Sequence, residues 1–138
     1  MITPESYAKD SEESHQIALF MWAALPEVRS RYPELRWLAH VPNGGQRSKS
    51  QGARLKAGGV KPGVPDLILP LRKILWAGLW IELKKPTQKP VRVGSKGGVS
   101  DEQSEWIAWL RSQGYACMVA YGWLEARDCL VQYLEWKE

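Results

Sequence analysis

Two apolar runs, VPDLILPL at 64–71 and AGLWIELK at 77–84, constrain this chain more than any other feature. Both have strand length, and the few residues between them leave room only for a tight reversal. If they form an antiparallel hairpin with its tip near Ile74, residues whose numbers sum to 148 face each other, and Asp66 stands opposite Glu82. Directly opposed residues lie about 5 Å apart. Alternation puts Leu79, Ile81 and Leu83 on one face and Trp80, Glu82 and Lys84 on the other, while Asp66 shares a face with Val64 and Ile68. Two carboxylates that close repel, so both stay ionised only with a cation between them.

Charge gives that pair its context. The 138 residues carry 19 basic and 15 acidic side chains, a net +4. The distribution is far less even: residues 36–100 hold 13 basic and 2 acidic groups, or +11, while 1–35 come to −3 and 101–138 to −4. The two acids inside the basic strip are Asp66 and Glu82. A surface shaped for phosphate backbones sheds acids, because each one repels DNA. An acid kept there needs a reason, and metal binding is one. With two histidines and two cysteines, zinc is a poor match. Carboxylates suit Mg²⁺ or Mn²⁺. Lys84 beside them could stabilise charge developing on a phosphate or help activate water.

The basic groups gather in two loops. Residues 43–61 contain Arg47, Lys49, Arg54, Lys56 and Lys61, and residues 85–96 contain Lys85, Lys89, Arg92 and Lys96. Their glycines let backbone N–H groups approach phosphates closely. No base-reading motif is visible, so recognition through shape and backbone is expected.

Around this centre the pattern predicts a helix over 11–30, with Ser11 as N-cap, Ile17, Phe20, Met21 and Ala24 at helical spacing, and Pro26 and Pro33 marking its end or a break. A short strand is expected over 35–41 and a short helix over 48–57, bounded by Gly58 and Gly59. Ser100 and Gln103 form a capping box for a helix to about Ser112, stopped by Gly114. A buried strand over 115–121 and a last helix over 123–136 complete a single α/β domain with a mixed sheet. His15 is expected to be exposed and His40 to pack at a strand end. Trp22, Trp106, Trp109 and Trp123 are expected in helix packing and Trp80 under the first helix. Trp76 is expected to be exposed near the hairpin tip, available to a dimer contact.

No run approaches the length of a membrane span, and residues 1–14 are acidic and polar, unlike a signal peptide. Cys117 and Cys129 lack CxxC spacing and read as small buried hydrophobes in a reducing, cytoplasmic setting.

Taken together, GVKPGVPD (59–66), WIELK (80–84) and SDEQSEWIAWL (100–110) resemble the VRR-NUC domain of the PD-(D/E)xK nuclease superfamily. PNGGQR (42–47) and SEESHQIALFMWA (11–23) fit the same family, so the resemblance runs from about Ser11 to Leu134. It implies a restriction-endonuclease-like fold and metal-dependent cleavage of DNA phosphodiesters in a stand-alone phage or bacterial chain. Such chains are similar to Holliday junction resolvases, which work as homodimers. Asp66 matches the Asp of the PD motif, and Glu82 and Lys84 match ExK. The carbonyl of Leu83 would be a further metal ligand. The family's helix-borne glutamate falls on Glu12, with Glu13, which shares a face with Ile17 and Phe20, as the alternative. Gln103 matches a recurrent family glutamine and could approach Lys84, although its capping-box place would explain it structurally. Gln16 lies one turn from Glu12. Asn43, Arg47, Lys49, Arg54, Lys61 and Lys85 are the expected DNA contacts. A nuclease acting on flaps, ends or plain duplex, and a DNA-binding module that does not cut, are the competing readings.

Overall fold

The computed structural model describes residues 1–42 and 48–137, so the expected DNA contacts Asn43 and Arg47 lie outside the described residues. The helices are α1 (Pro4–Tyr7), α2 (Glu12–Ala23), α3 (Pro26–Arg31), α4 (Lys49–Ala57), α5 (Asp101–Ser112) and α6 (Trp123–Leu134), and the strands are β1 (Ala39–His40), β2 (Leu67–Leu69), β3 (Leu79–Lys84) and β4 (Ala116–Tyr121). The sheet runs β1-β2-β3-β4, antiparallel across the first two pairings and parallel between β3 and β4. This is the expected mixed α/β architecture.

The hairpin takes the register the sequence dictates: Leu67 faces Ile81, Ile68 faces Trp80 and Leu69 faces Leu79. β3 is interior and covered on both sides. Leu79, Ile81 and Leu83 enter a core built with Ala18, Leu19 and Trp22 of α2 and Ala126 and Leu130 of α6. On the opposite face Trp80 packs with Ile107 and Leu110 of α5 and with Cys117. Trp80 therefore lies under α5 rather than under the first helix.

The first helical stretch breaks where Pro26 is expected to end or break it: α2 stops at Ala23 and Pro26, which cannot donate to the preceding turn, starts α3. Other expectations are corrected. The first three residues of the strand expected over 35–41 belong instead to a 3-10 helix, Pro33–Trp37, with Pro33 in its first turn, and only Ala39 and His40 pair with β2. β4 is half-buried: among the described residues it has a neighbour on one side only, and Met118 is exposed. Trp76 is partly buried against Tyr133 and Trp136, while Trp109 projects into solvent. His15 is buried. Its Nδ1 accepts the Trp123 N–H (3.0 Å), so Nε2 carries the proton and donates to the Lys9 carbonyl (2.9 Å). That ring caps an orphan N–H at the start of α6, where the N-cap Gly122 offers no side chain.

Gly63 sets the distance between the 59–66 segment and α5. Its φ is +91°, and a Cβ there would stand 2.6 Å from the Glu102 backbone. Gly63→Ala is therefore expected to cost about 2 kcal/mol or more, from left-handed strain plus displacement of the first turn of α5. Urea unfolding would measure it, and a change under about 0.5 kcal/mol would contradict the close approach.

Candidate active site

Asp66 directly precedes β2, at the strand's N-terminal end. Its carbonyl accepts the Val41 N–H (2.8 Å) and the His40 Nδ1–H (2.9 Å), which ties it to β1. His40 itself is exposed, so it reaches the strand end without packing there. On the other side the Asp66 Oδ2 accepts the Leu83 N–H at 2.7 Å. In this register Leu83 would have paired with Pro65, where the chain has already turned away. The carboxylate takes the place of that ladder acceptor, which fixes its position opposite Glu82.

Glu82 and Lys84 share the α5-facing side of β3, and both are buried, at 1% and 5% exposure. Lys84 Nζ lies 3.6 Å from Glu82 Oε2. Gln103 donates from Nε2 to the same oxygen (3.2 Å), while its Oε1 accepts the Ser100 N–H (2.8 Å). The two readings of Gln103 thus coexist in one amide, which caps α5 and touches the acid at the centre of the site. Its partner is Glu82, not Lys84.

Glu12 completes the cluster. One carboxylate oxygen from each of Glu12, Asp66 and Glu82 lies within 4.8 Å of the other two. Glu13 is exposed and outside this group. The choice follows from the buried stripe of α2, which runs through His15, Ala18, Leu19, Trp22 and Ala23. Glu12 continues that stripe three residues before His15, whereas Glu13 aligns with the half-buried Ile17 and Phe20. Gln16 is half-buried one turn further along.

The electrostatics are those of a crowded acid cluster. Burial pushes the Glu82 carboxyl up to about 9; repulsion from Asp66 and a hydrogen bond to it add to the rise, and Lys84 opposes it. Burial also raises Glu12, against the pull of Lys84 and with the push of Asp66. Two carboxyls can hydrogen-bond only when one is protonated. As a carboxylate, Glu82 leaves Oε1 buried with no hydrogen-bond partner among the described residues. An orphaned buried oxygen costs about 1–3 kcal/mol, and more when charged. A divalent cation suits this donor set: three hard oxygen ligands and one unpaired lone-pair site facing a second carboxylate.

The basic side chains of the two loops fall in two groups along the chain. Lys49, Arg54 and Lys56 stand on α4, a helix without acids or buried residues, and Lys61 is exposed on the segment leading to Asp66. Lys85 follows Lys84 directly and is half-buried. Lys89 and Lys96 are held by ion pairs with Glu125 and Asp101, each at 2.6 Å. The structural roles of His15 and His40 were missed in sequence, because their partners are backbone atoms of segments 108 and 26 residues away.

Comparison with known proteins agrees with this geometry. The family model of the VRR-NUC domain matches residues 10–123. A solved structure described as a VRR_NUC domain protein superposes with a TM-score of 0.69 at 27% identity, covering 93% of this chain and 91% of that one. Among curated proteins none matches at a significant level. With the family matched over most of its length and the acids of the motif gathered at one strand end, the chain belongs to the VRR-NUC family and is a nuclease of the PD-(D/E)xK type.

Proposed function

We propose that the chain is a Mg²⁺- or Mn²⁺-dependent DNA endonuclease, acting as a homodimer on branched DNA, with four-way junctions as its preferred substrate. The observation that carries the metal-dependent reading is the convergence of Glu12, Asp66 and Glu82 oxygens beside a buried Lys84, with Glu82 Oε1 lacking a partner. Asp66 and Glu82 would hold the ion, with the Leu83 carbonyl as a further ligand and Glu12 on the solvent side. When bound, the ion supplies Lewis-acid polarisation of the phosphate and eases deprotonation of water.

The chain's own groups do the rest. Asp66 stays in place through its bonds to Leu83, Val41 and His40. Glu82 would hold the ion as a carboxylate, and Gln103 orients its Oε2. The Lys84 ammonium is placed to stabilise negative charge developing on the scissile phosphate or to orient the nucleophile. Lys49, Arg54, Lys61 and Lys85 would grip the flanking phosphates, giving salt-dependent affinity without base readout.

Support for the homodimer comes from the edge of β4 that is unpaired among the described residues. It borders an apolar groove lined by Trp76, Met118, Tyr133 and Trp136, so Trp76 remains available to a partner copy although it is partly buried. Symmetric cutting of a junction needs two active sites, which a pair of copies supplies. Among the described residues no helix is long and apolar enough to cross a membrane, and both cysteines are free, which fits work on DNA in the cytoplasm of a bacterial or phage-infected cell.

Asp66→Ala and Lys84→Ala are each expected to lower junction cleavage by about 10²-fold or more while DNA binding in EDTA persists. Labelled junction, flap, end and linear substrates with Mg²⁺ or Mn²⁺ provide the measurement. Full activity in either variant overturns the catalytic assignment, and faster cutting of flaps or linear duplex overturns the junction preference.

The raised Glu82 carboxyl gives a second test. The folded chain keeps a proton up to about pH 9 that the unfolded chain releases near 4.5. Without metal the fold should therefore lose stability as pH rises through that window. Mg²⁺ or Mn²⁺ should raise the melting temperature more at about pH 8.5 than at about pH 6, because at the lower pH it competes with the proton. Glu82→Gln should flatten the pH slope in EDTA and remove the metal gain. An equal metal gain at both pH values, or in the variant, would count against a metal on Glu82.

A further inference from the structure

The strap between β3 and α5 has both feet in the active site. It leaves from Lys84 and returns at Gln103, and these two residues meet on one oxygen, Glu82 Oε2, at 3.6 and 3.2 Å. Its neck is closed. Gly97 is buried between Pro90 and Tyr121, so that a Cβ there would lie 2.7 Å from Pro90 Cγ, and the Tyr121 hydroxyl donates to the Gly97 carbonyl at 2.9 Å. Lys89 and Lys96, on either side of the neck, are anchored to Glu125 of α6 and Asp101 of α5. What projects beyond the neck is residues 91–96, turned by the Ser95 N–H on the Arg92 carbonyl (3.2 Å).

The tip of this projection is unusual in composition. Val91 and Val93 flank Arg92, and their exposures of 95% and 108% mean that neither touches the rest of the fold. Single exposed apolar residues need no explanation. Here two β-branched ones sit within three positions on a projection whose neck is held by these contacts. No acid occurs between Glu82 and Asp101. Arg92 has no ion pair among the described residues. The surrounding charge favours a polyanion, and the apolar pair needs a dry surface within that polyanion. In nucleic acid the dry surface is the face of a base, exposed when a stacked step opens.

We propose that Val91 and Val93 form a wedge that enters an opened base step beside the scissile phosphate, so that the strap selects DNA that unstacks easily, as at a branch point. The inference rests on the DNA-cleaving reading above and names the feature of the substrate that the site senses. Arg92 between the valines pairs with the backbone of the opened step, and the closed neck keeps the tip at a fixed distance from Glu82.

A four-way junction carrying 2-aminopurine at the branch point tests this in EDTA, where no cutting occurs. Fluorescence should rise several-fold when wild-type protein binds. The V91S/V93S double variant, altered only at solvent-exposed positions, should bind the junction within about threefold of wild type by anisotropy, without the rise. Arg92→Ser should show the converse, weaker and less salt-sensitive binding that still brightens the probe at saturation. In Mg²⁺ or Mn²⁺ the double variant should cut a fully paired branch about tenfold more slowly relative to one pre-opened by mismatches. Equal brightening by wild type and V91S/V93S, or none by saturating wild type, overturns the wedge, as does an unchanged ratio of rates. Wild-type protein that brightens the probe yet cuts nothing with either metal would sink the nuclease reading and leave the wedge standing.

Discussion

The Asp66 carboxylate does the work of a backbone carbonyl. It accepts the Leu83 N–H at the point where β2 has run out of residues able to continue the ladder. A longer β2 would have satisfied that N–H with a carbonyl and sent the Asp66 side chain elsewhere. A shorter one would have lost the register that faces Asp66 with Glu82. The strand ends at the needed place because Pro65 and Gly63 turn the chain away, and Gly63 alone can pass so close to the Glu102 backbone. Sheet geometry and acid chemistry are thus one constraint at this residue.

The remaining site groups are registered to the same frame through the backbone. Gly122 and Trp123 donate successive N–H groups, the first to the Lys84 carbonyl at 2.7 Å and the second to the buried His15 ring at 3.0 Å. β3 and α2, which carry Lys84 and Glu12, are therefore held by adjacent peptide groups at the junction of β4 and α6. Gly122 has φ of +90° and passes close to both Pro86 and His15, so this crossing has no room for a side chain. Gln103 adds the third layer, since α5 cannot keep its capping box without setting the amide that bonds Glu82.

What the sequence made legible follows from period and charge. The hairpin register, the alternation along β3 and the Ser100–Gln103 capping box are local properties, and the structure reproduces them. The Glu12 alternative was readable for the same reason once the buried stripe of α2 was known, because three residues separate it from His15. Where local pattern was ambiguous, the reading failed. LRWLAHV has strand composition, but Pro33 starts a helical turn that carries through Trp37. Trp80 could have packed under either layer, and only the parallel pairing of β3 with β4, which fixes the layer of α5, decides it. His15 gave no sequence signal, since a histidine on a polar first turn becomes a buried cap only when α6 arrives beside it.

The energetics argue that this cluster is kept for chemistry. Burying Glu82 beside Asp66 and Glu12 costs more than Lys84 at 3.6 Å returns, as the raised Glu82 and Glu12 carboxyls show. A buried ion pair replaced by apolar side chains of similar volume is often neutral or stabilising by about 1–4 kcal/mol. The face of β3 that holds Glu82 and Lys84 already borders an apolar layer with Trp80, Ile107 and Leu110, so such a replacement would find packing partners. Folding alone therefore gives no reason to hold two charged groups there. A divalent cation held among the three carboxylates would relieve that repulsion and leave Lys84 free to face a phosphate. The same crowding that raises the Glu82 and Glu12 carboxyls is what a bound cation would offset, so the affinity of the site for an ion and the cost of the cluster to the fold would have a common origin.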